Sequence, residues 1–319
     1  MADSNVITVF GATGAQGGGL ARAILADPRR RFRARAVTRK PDSAAALALA
    51  RAGAEIVAAD LDDAASLRHA MAGAHAVFCV TNFWEHVSPD RELRQARNMA
   101  HAAQAAGVRH AIWSTLEDTR EFVVPGSGHM PVLMGKYNVP HFDAKGEANR
   151  CFTERLPTTL LYTSFYWDNL VHFGMQPRRG AGGRLEFVLP MGSAKLPGIA
   201  AADIGPCAFG ILARGEELVG KSIGIAGEHL DGAQMAEQLA LALGEPVAHA
   251  AVSPRQYAGF GFPGADDLAN MFQFQREFEQ RYCASRSVAC SRELHPGLRT
   301  FAGWLAQSRS RLPIEALPA

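Results

Sequence analysis

The residues Val6-Ile7-Thr8-Val9-Phe10-Gly11-Ala12-Thr13-Gly14-Ala15-Gln16-Gly17-Gly18-Gly19, with Leu20 to Ala26 after them, decide the fold of this chain. The first five residues are mostly β-branched or aromatic and predict a buried strand. Leu20, Ile24 and Leu25 recur at helical spacing and predict a helix. A strand, a glycine-rich turn and a helix in direct succession form the context that a dinucleotide-binding fingerprint requires.

The glycines of this turn have separate physical roles. Gly11 permits the tight turn, Gly14 lets the backbone approach a pyrophosphate, and Gly17 lets the helix pack close to the strand. The helix N-terminus then offers unpaired N–H groups to the phosphates. The spacing Gly-x-x-Gly-x-x-Gly resembles that of the short-chain dehydrogenase/reductase superfamily, and a glycine-rich turn without a ligand is the alternative interpretation. The candidate cofactor residues of the turn are Gly11, Thr13, Gly14, Ala15, Gln16 and Gly17.

Composition and charge exclude several functional classes. The formal net charge is only +2, which argues against direct binding of nucleic acid. No apolar run reaches the length of about 18 residues that a membrane span needs, and the first strand begins too early for a signal peptide. The five cysteines form no Cys-x-x-Cys pair and no metal-ligand spacing. We therefore expect reduced thiols, no metal and a cytoplasmic location.

Predicted strands alternate with helices throughout the first half of the chain. Short connections between them predict right-handed crossovers and a parallel sheet with helices on both faces. The sequence therefore predicts the α/β class, with a Rossmann-type doubly wound parallel sheet. Ligands bind such sheets beyond the carboxyl ends of the strands, so the residues that follow each strand are the candidates for a site. The predicted strands cover residues 6–10, 33–37, 54–58, 76–80, 110–113 and 158–162.

Basic residues follow the second predicted strand, where an enzyme distinguishes NAD from NADP. An acidic residue at this place binds ribose hydroxyls, whereas a basic residue accommodates a 2′-phosphate. Arg39 and Lys40 therefore predict NADP(H), with a solvated arginine as the alternative interpretation. After the third strand, Asp60 and Asp63 are placed to border the adenine. Capping of the next helix by Asp62 or Asp63 is an equally good and compatible role.

The loops after the fourth and sixth strands carry aromatic and polar residues. Thr81, Asn82 and Phe83 follow the fourth strand, and we expect their loop to approach the nicotinamide ribose. The loop after the sixth strand is expected to hold the nicotinamide end of the cofactor, with core aromatics beside a helix cap as the alternative. Its candidate residues are Tyr166, Trp167, Asp168 and Asn169.

Lys145 and His141 are the candidate catalytic residues. Lys145 matches the lysine of the Tyr-x-x-x-Lys motif of the superfamily, and His141 stands where the motif has its tyrosine. That tyrosine acts as a general acid, and a histidine is also able to donate a proton. Capping or packing at the start of the helix is the alternative for His141. Lys145 can also bind the ribose hydroxyls of the nicotinamide, and Tyr137 lies too early to share the helical face unless the helix begins before it.

Longer segments carry a closer resemblance, and they span most of the chain. On these segments the chain resembles the NmrA-like family of atypical short-chain dehydrogenase relatives, and within it an NADPH-sensor protein. The resemblance implies NADP(H) bound by the glycine turn, Arg39 to Ser43, the 81–83 loop, Lys145 and residues 166–169. It also implies a small carboxyl-terminal domain over the nicotinamide. The segments are 9–18, 37–39, 80–85, 141–147, 166–170, 203–206 and the long Gly-Phe-Pro-Gly-Ala-Asp-Asp-Leu-Ala-Asn-Met-Phe at 261–272.

The predicted domains are an NADP-binding Rossmann domain over residues 1–165 and a smaller α+β substrate or lid domain over 166–319. Some segments of the second domain are expected to return to the Rossmann sheet. The predicted function is that of an NADP(H)-binding redox sensor or regulator, because the tyrosine acid is missing. The alternative is an NADPH-dependent reductase of an apolar quinone, carbonyl, imine or dye. The aromatic stripe of residues 271–278 can be core or an apolar substrate wall.

The expected binding partner depends on which of the two functions the protein has. A sensor needs a regulatory protein partner, and a reductase needs a small apolar substrate. Neither a membrane nor nucleic acid is an expected partner, and a homodimer is a further candidate assembly. The segment 121–140 is predicted to be a long loop beside the active cleft, longer than in the sensor that the chain resembles.

Overall fold

The computed structural model describes residues 5–180 and 182–314, and its first half alternates strand and helix. Ser43, Asp63 and Ser88 each cap a helix by accepting a hydrogen bond from a backbone N–H of its first turn. The elements are β1 (Asn5–Val9), α1 (Ala15–Leu25), β2 (Phe32–Thr38), α2 (Ala44–Arg51), β3 (Glu55–Ala58), α3 (Ala64–Met71), β4 (Ala76–Cys79), α4 (Pro89–Ala105), β5 (His110–Thr115), α5 (Pro140–Thr153) and β6 (Thr158–Tyr162).

The second half has shorter strands and a run of helices at its end. Among its helix starts, Asp231 forms a reciprocal capping box with Gln234. The elements are β7 (Phe165–Tyr166), α6 (Asn169–His172), β8 (Arg178–Arg179), β9 (Leu185–Val188), β10 (Leu196–Ile199), α7 (Ala201–Arg214), β11 (Ser222–Gly224), β12 (Glu228–Leu230), α8 (Gly232–Leu243), β13 (Val247–Ala250), α9 (Pro254–Ala258), α10 (Ala265–Glu277), α11 (Glu279–Ala284), α12 (Val288–Leu294) and α13 (Phe301–Ser308).

The central sheet has seven strands in the order β11-β6-β5-β4-β1-β2-β3. Every pair in it is parallel, so the predicted doubly wound parallel sheet is confirmed. The order reverses at β1, which lies between β2 and β4, and this is the switch point where such sheets bind ligands. β11, from the second half of the chain, is the strand at one edge of the sheet. Two three-stranded sheets, β12-β10-β7 and β13-β9-β8, belong to the smaller second half.

Helices α1 and α7 lie unusually close together on one face of the sheet. A Cβ on Gly205 would lie 2.0 Å from the backbone nitrogen of Leu20 and 2.6 Å from the Cα of Gly19. Two glycines therefore face each other where the helices cross. The contact holds a helix of the second half against the helix that follows the glycine turn.

A buried ion pair joins the two halves near β5 and β6. Arg286 is fully buried, and its Nη1 and Nη2 donate to the carboxylate of Glu117 at 2.6 and 2.9 Å. Its Nε donates to the carbonyl of Thr163 at 2.9 Å, and the guanidinium lies 3.7 Å from the ring centroid of Tyr282. This arginine fixes the ends of β5 and β6 to the helices that follow α10.

The segment between β5 and α5 is a long loop, as predicted. Within it the structure has only a short 3-10 turn at 119–121 and a single bridge between Leu133 and Tyr137. The carboxylate of Asp143 accepts hydrogen bonds from Thr119 and from the backbone of residues 138 and 139. Asn270 donates to the carbonyls of residues 131 and 138. Both ends and the middle of the loop are thus tied to α5 and α10.

None of the helices within residues 5–180 and 182–314 combines the length and the apolar character needed to cross a membrane.

Replacing Gly205 with alanine should destabilise the protein, because the new Cβ meets backbone rather than a flexible side chain. We expect a loss of about 1–3 kcal/mol in the free energy of unfolding, measured by urea denaturation. Gly182→Ala is the matched control, since its Cβ would meet nothing within 4 Å. Equal stability of the two variants would contradict the close approach of α1 and α7.

Candidate functional site

The glycine turn between β1 and α1 is open and lacks side chains where an anion would approach. Gly11, with φ of +62°, makes the turn, and Gly14 is exposed. A Cβ on Gly17 would lie 2.4 Å from the carbonyl oxygen of Phe10, so glycine is needed there for α1 to pack on β1. The backbone N–H groups of the first turn of α1 have no partner within a helix. The residues of the first turn are Ala15, Gln16 and Gly17, and Thr13 is exposed beside them.

Gln16 connects the glycine turn to the loop after β6. Its Nε2 donates to the hydroxyl of Tyr166 at 2.6 Å. Its other amide atom, Oε1, is buried and has no hydrogen-bond partner among the described residues. An unpaired buried acceptor costs free energy, so a donor from outside the chain would be stabilising here.

The residues after β2 and β3 surround the same edge of the sheet. Arg39 is exposed, and its Nη1 donates to the carboxylate of Glu85, in the 3-10 turn Phe83–Glu85 that follows β4. This carboxylate raises the pKa of Arg39. Ser43 caps α2, Asp63 caps α3, and Asp60 accepts from the backbone of Asp62, while Lys40 is exposed.

Lys145 lies in a buried polar cluster with Thr81 and Glu92. Its Nζ lies 2.7 Å from Oε1 of Glu92, 2.7 Å from Oγ1 of Thr81 and 3.1 Å from the Thr81 carbonyl. These three oxygens match the three N–H groups of a lysine. Thr81 in turn donates to the same Oε1 of Glu92 at 2.5 Å. The ammonium therefore fixes the loop after β4 to helices α4 and α5.

The carboxylate of Glu92 stays charged although its side chain is fully buried. Burial by itself raises the pKa of Glu92. The positive charge of Lys145 and the polar contacts with His86, Lys145 and Thr81 lower this pKa by more than burial raises it. The pKa is held at about 2. His86 lies on the other carboxylate oxygen, with its Nε2 3.3 Å from Oε2. The site thus carries a buried, fully formed ion pair.

His141, one helical turn before Lys145, is buried and paired with a carboxylate. Its Nδ1 lies 2.6 Å from Oδ1 of Asp267, and its backbone N–H donates to Oδ2 at 3.3 Å. A carboxylate only accepts hydrogen bonds, so Nδ1 carries the shared proton. No described residue is hydrogen-bonded to Nε2, the second ring nitrogen. His141 and Asp267 therefore form a dyad with one nitrogen left to exchange a proton.

Aromatic rings surround the dyad. The ring centroid of Trp84 lies 4.9 Å from that of His141, and that of Phe83 lies 6.1 Å away. Phe83 is buried, Trp84 is half-buried, and Asn82 is exposed. A Cβ on Gly264 would lie 2.6 Å from Cζ3 of Trp84, so the indole packs directly on the backbone before α10. The structure brings the loop after β4, the start of α5 and the start of α10 together.

Of the candidate residues after β6, Tyr166 contacts the first half of the chain, whereas Trp167 and Asp168 contact the second half. Tyr166 reaches the glycine turn through Gln16. The ring of Trp167 is buried with those of Phe301 and Trp304, with ring centroids 5.4 and 6.4 Å away. The Oδ2 of Asp168 accepts from the backbone of Ala201 at 2.8 Å, and Asn169 begins α6.

Tyr137 lies outside α5, which begins at Pro140. Its hydroxyl is buried without a hydrogen-bond partner among the described residues, and burial raises its pKa. The guanidinium of Arg120 lies 5.0 Å from the centre of its ring. Tyr137 therefore does not share the helical face of Lys145.

A separate cavity of about 460 Å³ lies beyond β5, β6 and β11. Its walls include Phe122 from the long loop and Phe274 and Phe278 from the aromatic stripe. Met271, Phe272 and Phe274 of this stripe are buried in the core, and of these three Phe274 also lines the cavity. None of the predicted cofactor residues lines this cavity.

Three acidic residues of the site were not among the residues predicted from the sequence: Glu85, Glu92 and Asp267. Glu92 and Asp267 lie in the first turns of α4 and α10, where acidic residues are common because they complement the helix dipole. Nothing in their local sequence distinguishes a buried partner from a solvated one. Glu85 had a signal, since it directly follows the Thr-Asn-Phe-Trp loop. Among the described residues, no three His, Cys, Asp or Glu side chains could hold a metal ion.

Comparisons with known proteins agree on one family. A family model described as the NmrA-like family matches residues 3–305. The NmrA-like family domain-containing oxidoreductase lnbB of Aspergillus flavus is 28% identical over 299 residues, covering 88% of this chain and 86% of the relative. The oxidoreductase ptmS of Penicillium ochrochloron is 26% identical and covers 95% of this chain and 97% of its own.

Solved structures share the fold over almost the whole chain. The crystal structure of NmrA, a negative transcriptional regulator, aligns with a TM-score of 0.77 at 22% identity, covering 95% of each chain. Triphenylmethane reductase of Citrobacter sp., complexed with NADP(H), aligns with a TM-score of 0.73 at 21% identity, covering 96% of this chain and 99% of its own. At these identities the likeness shows the fold.

Replacing Lys145 with methionine should leave Glu92 as an uncompensated buried charge. We expect a loss of about 3–5 kcal/mol in unfolding free energy, measured by urea denaturation. The double variant Lys145→Met with Glu92→Leu should recover most of this loss, because no buried charge remains. Lys136→Met is the control, since that exposed lysine lies 3.9 Å from Glu147 and contributes about 0–1 kcal/mol. A single variant as stable as the control would contradict the buried pair.

The pH dependence of stability should report the same carboxylate. The pKa of Glu92 is about 2 in the folded protein against an ordinary 4.5, so its contribution is fully present above 4.5 and is lost as the pH falls towards 2. The unfolding free energies of the wild type and Glu92→Gln should therefore converge on acidification below 4.5. Chemical denaturation at a series of pH values measures this, and a constant difference would show that Glu92 titrates normally.

Proposed function

This chain belongs to the NmrA-like family, and on that premise we propose that it binds NADP(H) and reduces a small apolar substrate. The substrate class is a quinone, a carbonyl compound, an imine or a dye. The observation that carries the proposal is the His141–Asp267 dyad, which supplies a proton-exchanging group one helical turn from Lys145. The relatives lnbB and ptmS are named oxidoreductases, which supports the same reaction class.

The residues at the switch point fit a phosphorylated dinucleotide. The first turn of α1 offers free N–H groups behind glycines that lack a Cβ, which suits a pyrophosphate. Arg39 follows β2, at the place where a guanidinium can bind a 2′-phosphate. The buried Oε1 of Gln16 has no hydrogen-bond donor among the described residues, so it can accept a hydrogen bond from the cofactor. We assign the cofactor to this edge, between the glycine turn and the loops that begin at Thr81 and Tyr166. The second half of the chain would then form the substrate or lid domain.

Each residue of the site has one physical task in this proposal. Bound NADPH would supply a hydride to the carbonyl carbon, so the carbonyl oxygen also requires a proton. With both ring nitrogens protonated, His141 provides that proton from Nε2, while Asp267 accepts a hydrogen bond from Nδ1 and fixes the orientation of the ring. Lys145 holds the loop of Thr81 in place and neutralises Glu92. Phe83 and Trp84 exclude water and present an apolar face to the substrate.

A redox sensor or regulator is the second candidate function. The hydrogen-bonding capacity of Lys145 is used by Thr81 and Glu92, so no donor is left for a substrate unless the cluster rearranges. The tyrosine of the Tyr-x-x-x-Lys motif is also absent. Such a protein would bind NADPH and NADP⁺ with different affinities in two conformations and pass the difference to a regulatory protein partner.

The test is NADPH oxidation by the purified protein with a panel of aldehydes, quinones, imines and cationic triarylmethane dyes. A carbonyl needs a hydride and a proton, whereas a dye cation becomes neutral on taking the hydride alone. His141→Asn should therefore lower kcat for carbonyl substrates about 100-fold or more and leave dye reduction nearly unchanged. Affinity for NADPH, measured by calorimetry, should stay the same.

Asp267→Asn tests the positioning role of the carboxylate. It should lower kcat for carbonyls, change the pH profile of kcat and leave KM nearly unchanged. Asp266→Asn, at the neighbouring exposed position, is the matched control. Tight binding of NADPH without turnover of any substrate would reject the reductase and support the sensor. Absence of binding would reject both functions.

A further inference from the structure

Arg39, the residue placed to bind a 2′-phosphate, already holds an anion from its own chain. Its Nη1 donates to Oε1 of Glu85, which lies in the 3-10 turn after β4. A carboxylate and a phosphate present the same kind of acceptor oxygens to a guanidinium. Resting on the proposed binding of NADP(H), we propose that Glu85 competes with the 2′-phosphate for Arg39 and thereby determines cofactor specificity and couples cofactor binding to the reactive site.

Glu85 is the acidic residue that forms a direct ion pair with Arg39. Asp60 and Asp62 add to the negative field around the guanidinium. Asp62, however, is held by Arg91 at 2.8 Å and by Arg94 at 3.3 Å. Glu85 therefore is the group that a 2′-phosphate must displace.

The strand order explains why the two residues meet. Arg39 follows β2 and Glu85 follows β4, and these strands lie on either side of β1 in the sheet. Both side chains therefore emerge at the switch point, on opposite sides of the glycine turn. A dinucleotide that lies over the end of β1 comes between the two loops that carry them.

The turn that carries Glu85 also carries Trp84, whose ring packs on His141 and on the backbone of Gly264. Release of Glu85 from Arg39 removes the polar contact that holds this turn towards β2. With the restraint on the β2 side gone, the indole shifts relative to His141 while Lys145 still holds the start of the loop at Thr81. Recognition of the 2′-phosphate is thereby transmitted to the proton-exchanging dyad through two adjacent residues.

Glu85→Gln tests the competition by calorimetry at low ionic strength, because salt screens exposed pairs. Removing the carboxylate should tighten binding of NADPH and of adenosine 2′,5′-bisphosphate about three-fold, the scale expected of an exposed ion pair. Binding of NADH and AMP should not change, since neither carries a 2′-phosphate. The effect should vanish in an Arg39→Gln background.

Glu154→Gln is the matched control, because Glu154 is also an exposed carboxylate paired with an arginine. Its Oε2 lies 3.8 Å from Nη1 of Arg155, at the C-terminal end of α5, whereas His141 lies at the N-terminal end. It should leave all four affinities unchanged. Wild-type protein that fails to bind NADPH overturns the proposed function and this inference with it. Binding that Glu85→Gln leaves unchanged, or tightens equally for NADH, overturns the inference alone.

Tryptophan fluorescence tests the coupling to the reactive site. The ring of Trp84 packs on His141, and the response that Trp84→Phe removes is the part of the emission change that Trp84 reports. Adenosine 2′,5′-bisphosphate, which lacks the nicotinamide, should change the emission of the wild type, whereas AMP should not. Glu85→Gln without ligand should already show the changed emission, and Trp84→Phe should show no response. An unchanged wild-type emission on saturation with the bisphosphate would overturn the coupling.

Discussion

The buried ion pair between Glu92 and Lys145 is the interaction on which the site depends. A carboxylate without solvent must be paired, and the ammonium of Lys145 and the hydroxyl of Thr81 pair it. The pair joins α4 to α5 and fixes the loop after β4 between them. Through that loop it sets the places of Phe83 and Trp84, and through α5 it sets the place of His141. The geometry of the reactive edge thus follows from one requirement, that a buried charge be neutralised.

The second half of the chain contributes residues to this edge of the sheet. Asp267 comes from α10 and orients His141 from a distance of 126 positions along the chain. Arg286 binds Glu117 and the end of β6, and Gly205 lets α7 approach α1. These contacts are buried and specific, so the second half is fixed relative to the glycine turn.

The sequence predicted the sheet well, but it did not predict the partners of the site residues. Strand, glycine turn and helix are local patterns, and the parallel sheet with its reversal at β1 follows from their alternation. The predicted capping of α3 by Asp63 was local too, and it is present. Lys145 was identified by its spacing from His141, but its partner was not, because Glu92 occupies a helix start where acidic residues are common. For Trp167 the sequence left two places open, since an aromatic residue after a strand can face either a ligand or the core, and the structure has its ring buried beside Phe301 and Trp304.

What the sequence determined by itself is the α/β fold, the position of the glycine turn, the family resemblance and the edge of the sheet where the candidate residues gather. Periodicity, turn chemistry and strand order are properties of short segments, so a single chain reveals them. Only the tertiary structure decided which charges meet: Glu92 with Lys145, Asp267 with His141 and Glu85 with Arg39. Each pair joins residues from different elements, and their contact depends on the orientation of whole helices and loops. That orientation is set by packing and by the need to neutralise buried charge, which no local pattern records.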